Sequence, residues 1–230
     1  MTDQTRANRY TVLAHREPVS QLLEIKRSEF IGYLQRVNSE EEARAFIESK
    51  RKQYHDARHV CSAFIIGADR QTQRSNDDGE PAGTAGIPML QALLARRTLD
   101  ATGQEVSDLS DICAVVVRYF GGIKLGAGGL VRAYTDAVVQ TLDAAQLIPR
   151  QRLRLGQVEA SYEQAGRLEN DLRALGYRVL GTDYTNSAAL IQLGVFDDES
   201  HQAQTEKALA ELTAGAGHIS WGSSQWVDLT

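Results

Sequence analysis

The 230-residue chain carries 25 Lys and Arg against 30 Asp and Glu, a formal net charge of −5, with 42% hydrophobic and 24% charged residues. That balance excludes bulk disorder, and no apolar run approaches the roughly 20 residues that a membrane helix needs. It also excludes a uniformly basic nucleic-acid binder, so any phosphate contact has to come from a local patch.

From Arg150 onward Asp and Glu clearly outnumber Lys and Arg, whereas the two signs nearly balance before it. The first part is therefore the better place for a basic face. The opening stretch, MTDQTRANRYTV, is polar and lacks a signal-peptide core, so a cytoplasmic location is expected. In chain order, SQLLEIKR and SEFIGYLQRV read as strands of a hairpin or meander. SEEEARAFIESKRKQY reads as a helix with a capping box at Ser39 and Glu42, its apolar face formed by Ala43, Phe46, Ile47 and Tyr54. HVCSAFIIG follows as a buried strand. DRQTQRSNDDGEPAG reads as a polar, turn-rich connection, and GIPMLQALLARR as a helix with Pro88 in its first turn. DICAVVVRYF is nearly all apolar and should be a central strand. A glycine segment then leads into a helix on which Leu130, Tyr134, Val138 and Leu142 face the core.

Pro149 and Arg150 mark the expected boundary between domains at 1–149 and 150–230. The second part reads as β-α-β-β-α-β, a ferredoxin-like order. Its first helix has a capping box at Ser161 and Gln164, an apolar stripe of Ala165, Leu168, Leu172 and Leu175, and Gly176 as its C-cap. The predicted class is α+β, each part with a mainly antiparallel sheet and that of the first domain mixed. Cys61 and Cys113 sit in apolar strands and read as buried free thiols, with a bridge between them as the alternative; neither belongs to a CxxC pair. Trp221 and Trp226 read as closing a small core.

Two segments carry chemistry. RYFGGIKLGAGGLVRAY places Gly121, Gly122, Gly126, Gly128 and Gly129 among Arg118, Lys124 and Arg132, directly before a helix start. Glycine lets another group approach the backbone, and a helix N-terminus exposes unpaired N–H groups with positive dipole character. Together these make an anion site suited to phosphate. The spacing matches neither a P-loop nor a dinucleotide fingerprint. The competing reading is a tight structural turn whose cations pair with acids. The second segment, SNDDGEPAGTAGIP, holds Asp77, Asp78, Glu80 and Thr84. One reading is a Mg²⁺ or acid–base site with Thr84 and backbone N–H groups holding a phosphate. The adopted reading is a turn whose acids pair with Arg118, Lys124 or Arg132. His55, His59 and Cys61 in HDARHVC are assigned no catalysis, and no metal site or cofactor is expected.

Three blocks, KRSEFIGYLQRVNSEEEARAFI, RSNDDGEPAGTAGIPML and VVVRYFGGIKLGAGGLVRAYTDAV, together resemble the IMPACT family in its bacterial YigZ-like, two-domain form. The resemblance implies a first domain like domain IV of elongation factor G and a second like its domain V. Eukaryotic relatives regulate translation under stress through an additional N-terminal domain, for which no room is expected before Ser20. The resemblance transfers no catalytic residue. The expected function is a non-enzymatic, translation-associated protein that binds RNA, a ribosome or a translation factor through Arg118, Lys124, Arg132 and the glycines. Asp77, Asp78, Glu80 and Thr84 would support that loop, with no membrane partner and no DNA-specific signal. The alternative is a small-molecule enzyme handling a phosphate-containing substrate at the same loop.

Overall fold

The computed structural model describes residues 5–229. Residues up to Pro149 form one compact unit and Arg150–Leu229 a second. In the first, strands β2 (Val19–Ile25), β3 (Ser28–Arg36), β4 (His59–Ile66), β5 (Thr72–Asn76) and β8 (Ile112–Tyr119) form a sheet in the order β2-β3-β8-β4-β5. Helix α1 (Glu40–Gln53) connects β3 to β4, while α2 (Gly86–Ala95) and α3 (Gly126–Asp143) precede and follow β8. The mixed sheet expected here is corrected, because every pairing in it is antiparallel. Strands β3 and β4 do run in one direction, as a crossover through α1 requires. Strand β8 then enters between them in the opposite direction and removes any parallel contact.

The near-continuous apolar run of β8 follows from that central place. Its Ile112, Ala114 and Val116 pack with Leu130, Tyr134, Val138 and Leu142 of α3 and with Met89 and Leu93 of α2. Its Cys113, Val115 and Val117 pack on the other face with Ala43, Phe46 and Ile47 of α1. Burying each large apolar side chain in these layers contributes about 1.5–3 kcal/mol relative to exposure. Cys61 lies in the first layer and Cys113 in the second, both as free thiols.

Four strands were not legible. β1 (Arg9–Leu13) begins within the stretch read as a polar terminus, yet Val12 and Leu13 are buried and Thr11 bridges to Leu109. β5 falls within the expected polar connection and is an edge strand paired only with β4. Its sequence TQRSN has the polarity that edge strands use against unwanted pairing. Two short strands, β6 (Thr98–Leu99) and β7 (Glu105–Val106), pair with each other.

In the second unit, β9 (Leu147–Ala160) from Arg150 onward, α4 (Tyr162–Ala174), β10 (Arg178–Tyr184), β11 (Ala189–Phe196), α5 (Glu199–Leu212) and β12 (Ile219–Asp228) follow in turn. The strands lie in the order β12-β9-β11-β10, all antiparallel. Ala165, Leu168 and Leu172 of α4 and Leu209 of α5 cover Val158, Ile191, Leu193 and Val195 of the sheet. Leu175, expected on the apolar stripe, is exposed, because α4 has already ended at Ala174. Gly176 follows at φ 87°, with its N–H on the Arg173 carbonyl and that of Tyr177 on the Leu172 carbonyl, a Schellman ending.

The capping boxes differ from their sequence pattern. Ser39 Oγ accepts from the Glu42 N–H at 3.2 Å, but the Glu42 carboxylate reaches back to the N–H of Asn38 rather than of Ser39. Ser161 is the N-cap of α4, but its side chain makes no capping bond. Trp221 packs on the core and donates to Glu206, whereas Trp226 lies 5.8 Å from the Arg152 guanidinium.

Candidate functional site

The two segments singled out by sequence meet at one end of the first unit's sheet, on the side covered by α2 and α3. Strand alternation places Arg118 on the same face as Ile112, Ala114 and Val116, opposite Phe30 on β3 and His59 on β4. The guanidinium is therefore buried. Arg118 is 6% exposed and its Nη1 donates to Glu80 Oε1 at 2.5 Å; Glu80 is 8% exposed. The Tyr134 hydroxyl donates to the same Glu80 oxygen at 2.8 Å, and the Cys61 thiol donates to the Tyr134 oxygen. A buried ion pair tolerates its desolvation only with such added hydrogen bonds. Burial, with the neighbouring Cys61 and Glu80, pushes the Tyr134 hydroxyl well above the ordinary tyrosine range. Burial likewise pushes the Cys61 thiol up to about 12, so neither group ionises at neutral pH.

Asp77 does a different job. Its carboxylate accepts from the backbone N–H groups of Gly83 (2.7 Å), Ala85 (3.0 Å) and Gly86 (2.7 Å), closing the N-terminus of α2. Burial raises its pKa, but those three donors outweigh burial and hold the carboxyl below its ordinary value. The anion expected at this helix start is thus the protein's own. Thr84, considered as a phosphate ligand, is buried, and its hydroxyl donates to the Pro81 carbonyl at 2.7 Å. Asp78 pairs with Arg51 at 2.9 Å and accepts from the Val60 N–H at 2.7 Å. Of the three cations expected as partners for these acids, Arg118 is the one that pairs, through Glu80. His59 donates through Nδ1 to the Asp78 carbonyl at 2.9 Å, which fixes its tautomer and leaves it a role in holding the turn.

The glycine segment contrasts with this filled interior. Lys124 and Arg132 are exposed and form no ion pair among the described residues. The N-cap of α3 is Leu125, which has no capping oxygen, and no side chain among the described residues accepts from the first N–H groups of this helix. Gly121 is required by packing: a Cβ there would lie 2.0 Å from the carbonyl carbon and oxygen of Arg27. Its N–H donates to Ser28 Oγ at 3.1 Å, fastening the loop to the β2–β3 hairpin. Gly122 and Gly126 have φ of 86° and 73°, which disfavours any side chain. Gly128 has neither constraint, since its φ is not positive and a Cβ would meet nothing within 4 Å. Gly129 would bring a Cβ to 3.0 Å from Leu125 Cβ.

Sequence reading missed Tyr134 as the hydrogen-bond hub, Arg51 as the partner of Asp78, and Ser28 as the anchor of the loop. A signal for Tyr134 existed, because a tyrosine on a fully apolar helix face needs a buried partner for its hydroxyl. Among the described residues no three His, Cys, Asp or Glu side chains converge so that they could hold a metal ion, and no helix is long and apolar enough to cross a membrane. A cavity of about 500 Å³ between α2 and α3 is lined by Pro88, Ala92, Arg96, Thr135, Val139 and Leu142, and includes none of the site residues above.

Residues 26–142 match the Impact N-terminal domain, and residues 158–216 match a domain of unknown function, DUF1949. The chain belongs to the IMPACT family. It is 39% identical to the IMPACT family member YvyE of Bacillus subtilis, over 89% of this chain and 88% of that protein. It is 38% identical to the IMPACT family member YigZ of Escherichia coli, over 86% of this chain and 92% of that one. A crystal structure described only as a hypothetical protein superposes with a TM-score of 0.58 at 35% identity, covering 93% of this chain and 97% of the other.

Proposed function

We propose that this protein is a non-enzymatic, translation-associated regulatory protein of the cytoplasm that binds RNA backbone, free or on a ribosome, through the loop between β8 and α3. One observation carries the reading. Of the three cations in the glycine segment, Arg118 is neutralised by Glu80, while among the described residues Lys124 and Arg132 stand exposed without an acid partner, beside a helix start that no side chain caps. Gly128 supports it. A glycine in a helix costs about 0.5–1 kcal/mol relative to alanine, and packing does not require one there. Its bare backbone leaves room for an anion to approach. The resemblance of the two units to domains IV and V of elongation factor G belongs to the same proposal, as does a role under stress.

The enzymatic alternative needs a carboxylate available to a metal ion or a substrate proton. Asp77 is engaged by three backbone donors, Asp78 by Arg51 and Val60, and Glu80 by Arg118 and Tyr134. The acidic loop acts as a frame for the binding loop.

The test is equilibrium binding of a labelled RNA and of purified ribosomes across a salt series. Wild type should bind with log affinity falling linearly in log salt. Lys124→Ala with Arg132→Ala should lower that slope by roughly 0.7 per lost contact on a single strand. A folded wild type that binds neither partner at low salt would sink the reading.

A further inference from the structure

The β2–β3 hairpin turns on two residues, Lys26 and Arg27, between the paired Ile25 and Ser28. Two-residue hairpins of this kind take left-handed backbone at both central positions and favour Asn-Gly. Here Lys26 has φ 49° and Arg27 φ 66°. Two long cationic side chains are held where a side chain is disfavoured, and both are exposed without an ion pair among the described residues. This tip lies directly against the glycine loop, since the backbone of Gly121 touches that of Arg27 and bonds to Ser28.

Next to Gly121 stands Phe120, 47% exposed, its ring centroid 5.6 Å from the buried Arg118 guanidinium carbon. Arg118 also lies 5.3 Å from the ring of Phe30 beneath it. The neutralised arginine thus seats an exposed aromatic ring on the residue next to Gly121, which itself abuts the cationic hairpin tip. Cations on adjoining loops with an exposed aromatic beside them suit a strand whose bases are unstacked: phosphates meet the charges and a base stacks on the ring. Duplex RNA keeps its bases inside and has no use for the ring.

We infer that Lys26, Arg27 and Phe120 extend the glycine-loop site into a strip for single-stranded RNA, with phosphates on the hairpin tip and on Lys124 and one base stacked on Phe120. The inference rests on the RNA reading above and names the form of RNA and the additional contacts.

It is tested by fluorescence anisotropy with a labelled single-stranded 12-mer of uridine, one of adenosine, and a 12-base-pair RNA duplex. The proteins are wild type, Lys26→Asn with Arg27→Gly, Phe120→Leu, and Lys124→Ala. The Asn-Gly turn suits the backbone, so that variant folds and its thermal midpoint holds or rises. Single strands should bind wild type more tightly than duplex. Loss of the hairpin cations should lower the salt slope by roughly 1.4, at about 0.7 per contact. Phe120→Leu should weaken the single strands about tenfold and the adenosine 12-mer most, with little effect on duplex. If both hairpin and Phe120 variants bind as wild type while Lys124→Ala loses binding, the strip is wrong and the glycine-loop site survives. Preference for duplex also overturns it. If wild type binds no RNA at low salt, both readings fail together.

Discussion

Helices α2 and α3 both start from glycine-bearing loops at the same end of one sheet, and the two starts are treated in opposite ways. At α2 the chain turns back on itself, and Asp77 places its carboxylate on three N–H groups of the helix entry. At α3 the N-cap is a leucine, two cations stand nearby without an acid among the described residues, and Gly128 is bare for no packing reason. A helix N-terminus attracts negative charge in either case. What differs is whether the protein supplies that charge itself. The same division separates Arg118 from Lys124: one cation builds the interior, the other is presented. Composition alone treats them as equals.

The largest effect should come from the interior side of this division. Arg118→Ala leaves Glu80 buried and unpaired, which costs about 3–5 kcal/mol, read from urea unfolding. An unchanged midpoint would break the distinction between built-in and presented cations. Asp77→Ala comes next. It strands three backbone donors, and we expect a loss of about 2–3 kcal/mol, less than the sum of three separate deletions because water reaches part of the site. Asp77→Asn keeps an acceptor and should lose less.

The acid limb sharpens the point. The folded carboxyl of Asp77 is held below its ordinary value, so its contribution is complete above the unfolded pKa of about 4 and is lost as pH falls through the folded one. Asp77→Asn should flatten the pH dependence of stability below about pH 4; an unchanged acid limb would mean that the carboxylate is not anchored. The smallest effect belongs to α3. Lys124→Ala should shift stability by no more than about 0.5 kcal/mol. Inorganic phosphate near its own Kd should stabilise wild type by about 0.4 kcal/mol, and this gain should vanish in Lys124→Ala. Phosphate that stabilises both proteins equally would place its site elsewhere.

Much of the fold was legible because it rests on periodicity. The unbroken apolar run of β8 implies cover on both faces, and the four-residue recurrence of Leu130, Tyr134, Val138 and Leu142 places one face of α3 on the core. The site was legible only as two segments. Their union at Arg118, Glu80 and Tyr134 depends on which strand lies beside which, and local pattern does not carry that. One sign was present: Arg118 has the parity of Ile112, Ala114 and Val116, so it points inward with them. Asp77 gave no sign, because its partners lie six to nine residues ahead in a turn without a repeating pattern. β5 was hidden by its edge position, where polarity resembles a loop.

The two thiols have a practical consequence. Cys61 and Cys113 are buried in different layers of the first unit, on either side of its central sheet, and burial pushes both thiols far from the reactive thiolate. Alkylation can proceed only when a layer opens. Each cysteine is thus a clock for one half of the unit, and mass spectrometry after a timed pulse of iodoacetamide would show whether the α1 layer parts from the sheet before the α2–α3 layer does. The second unit contains no cysteine and leaves this record silent.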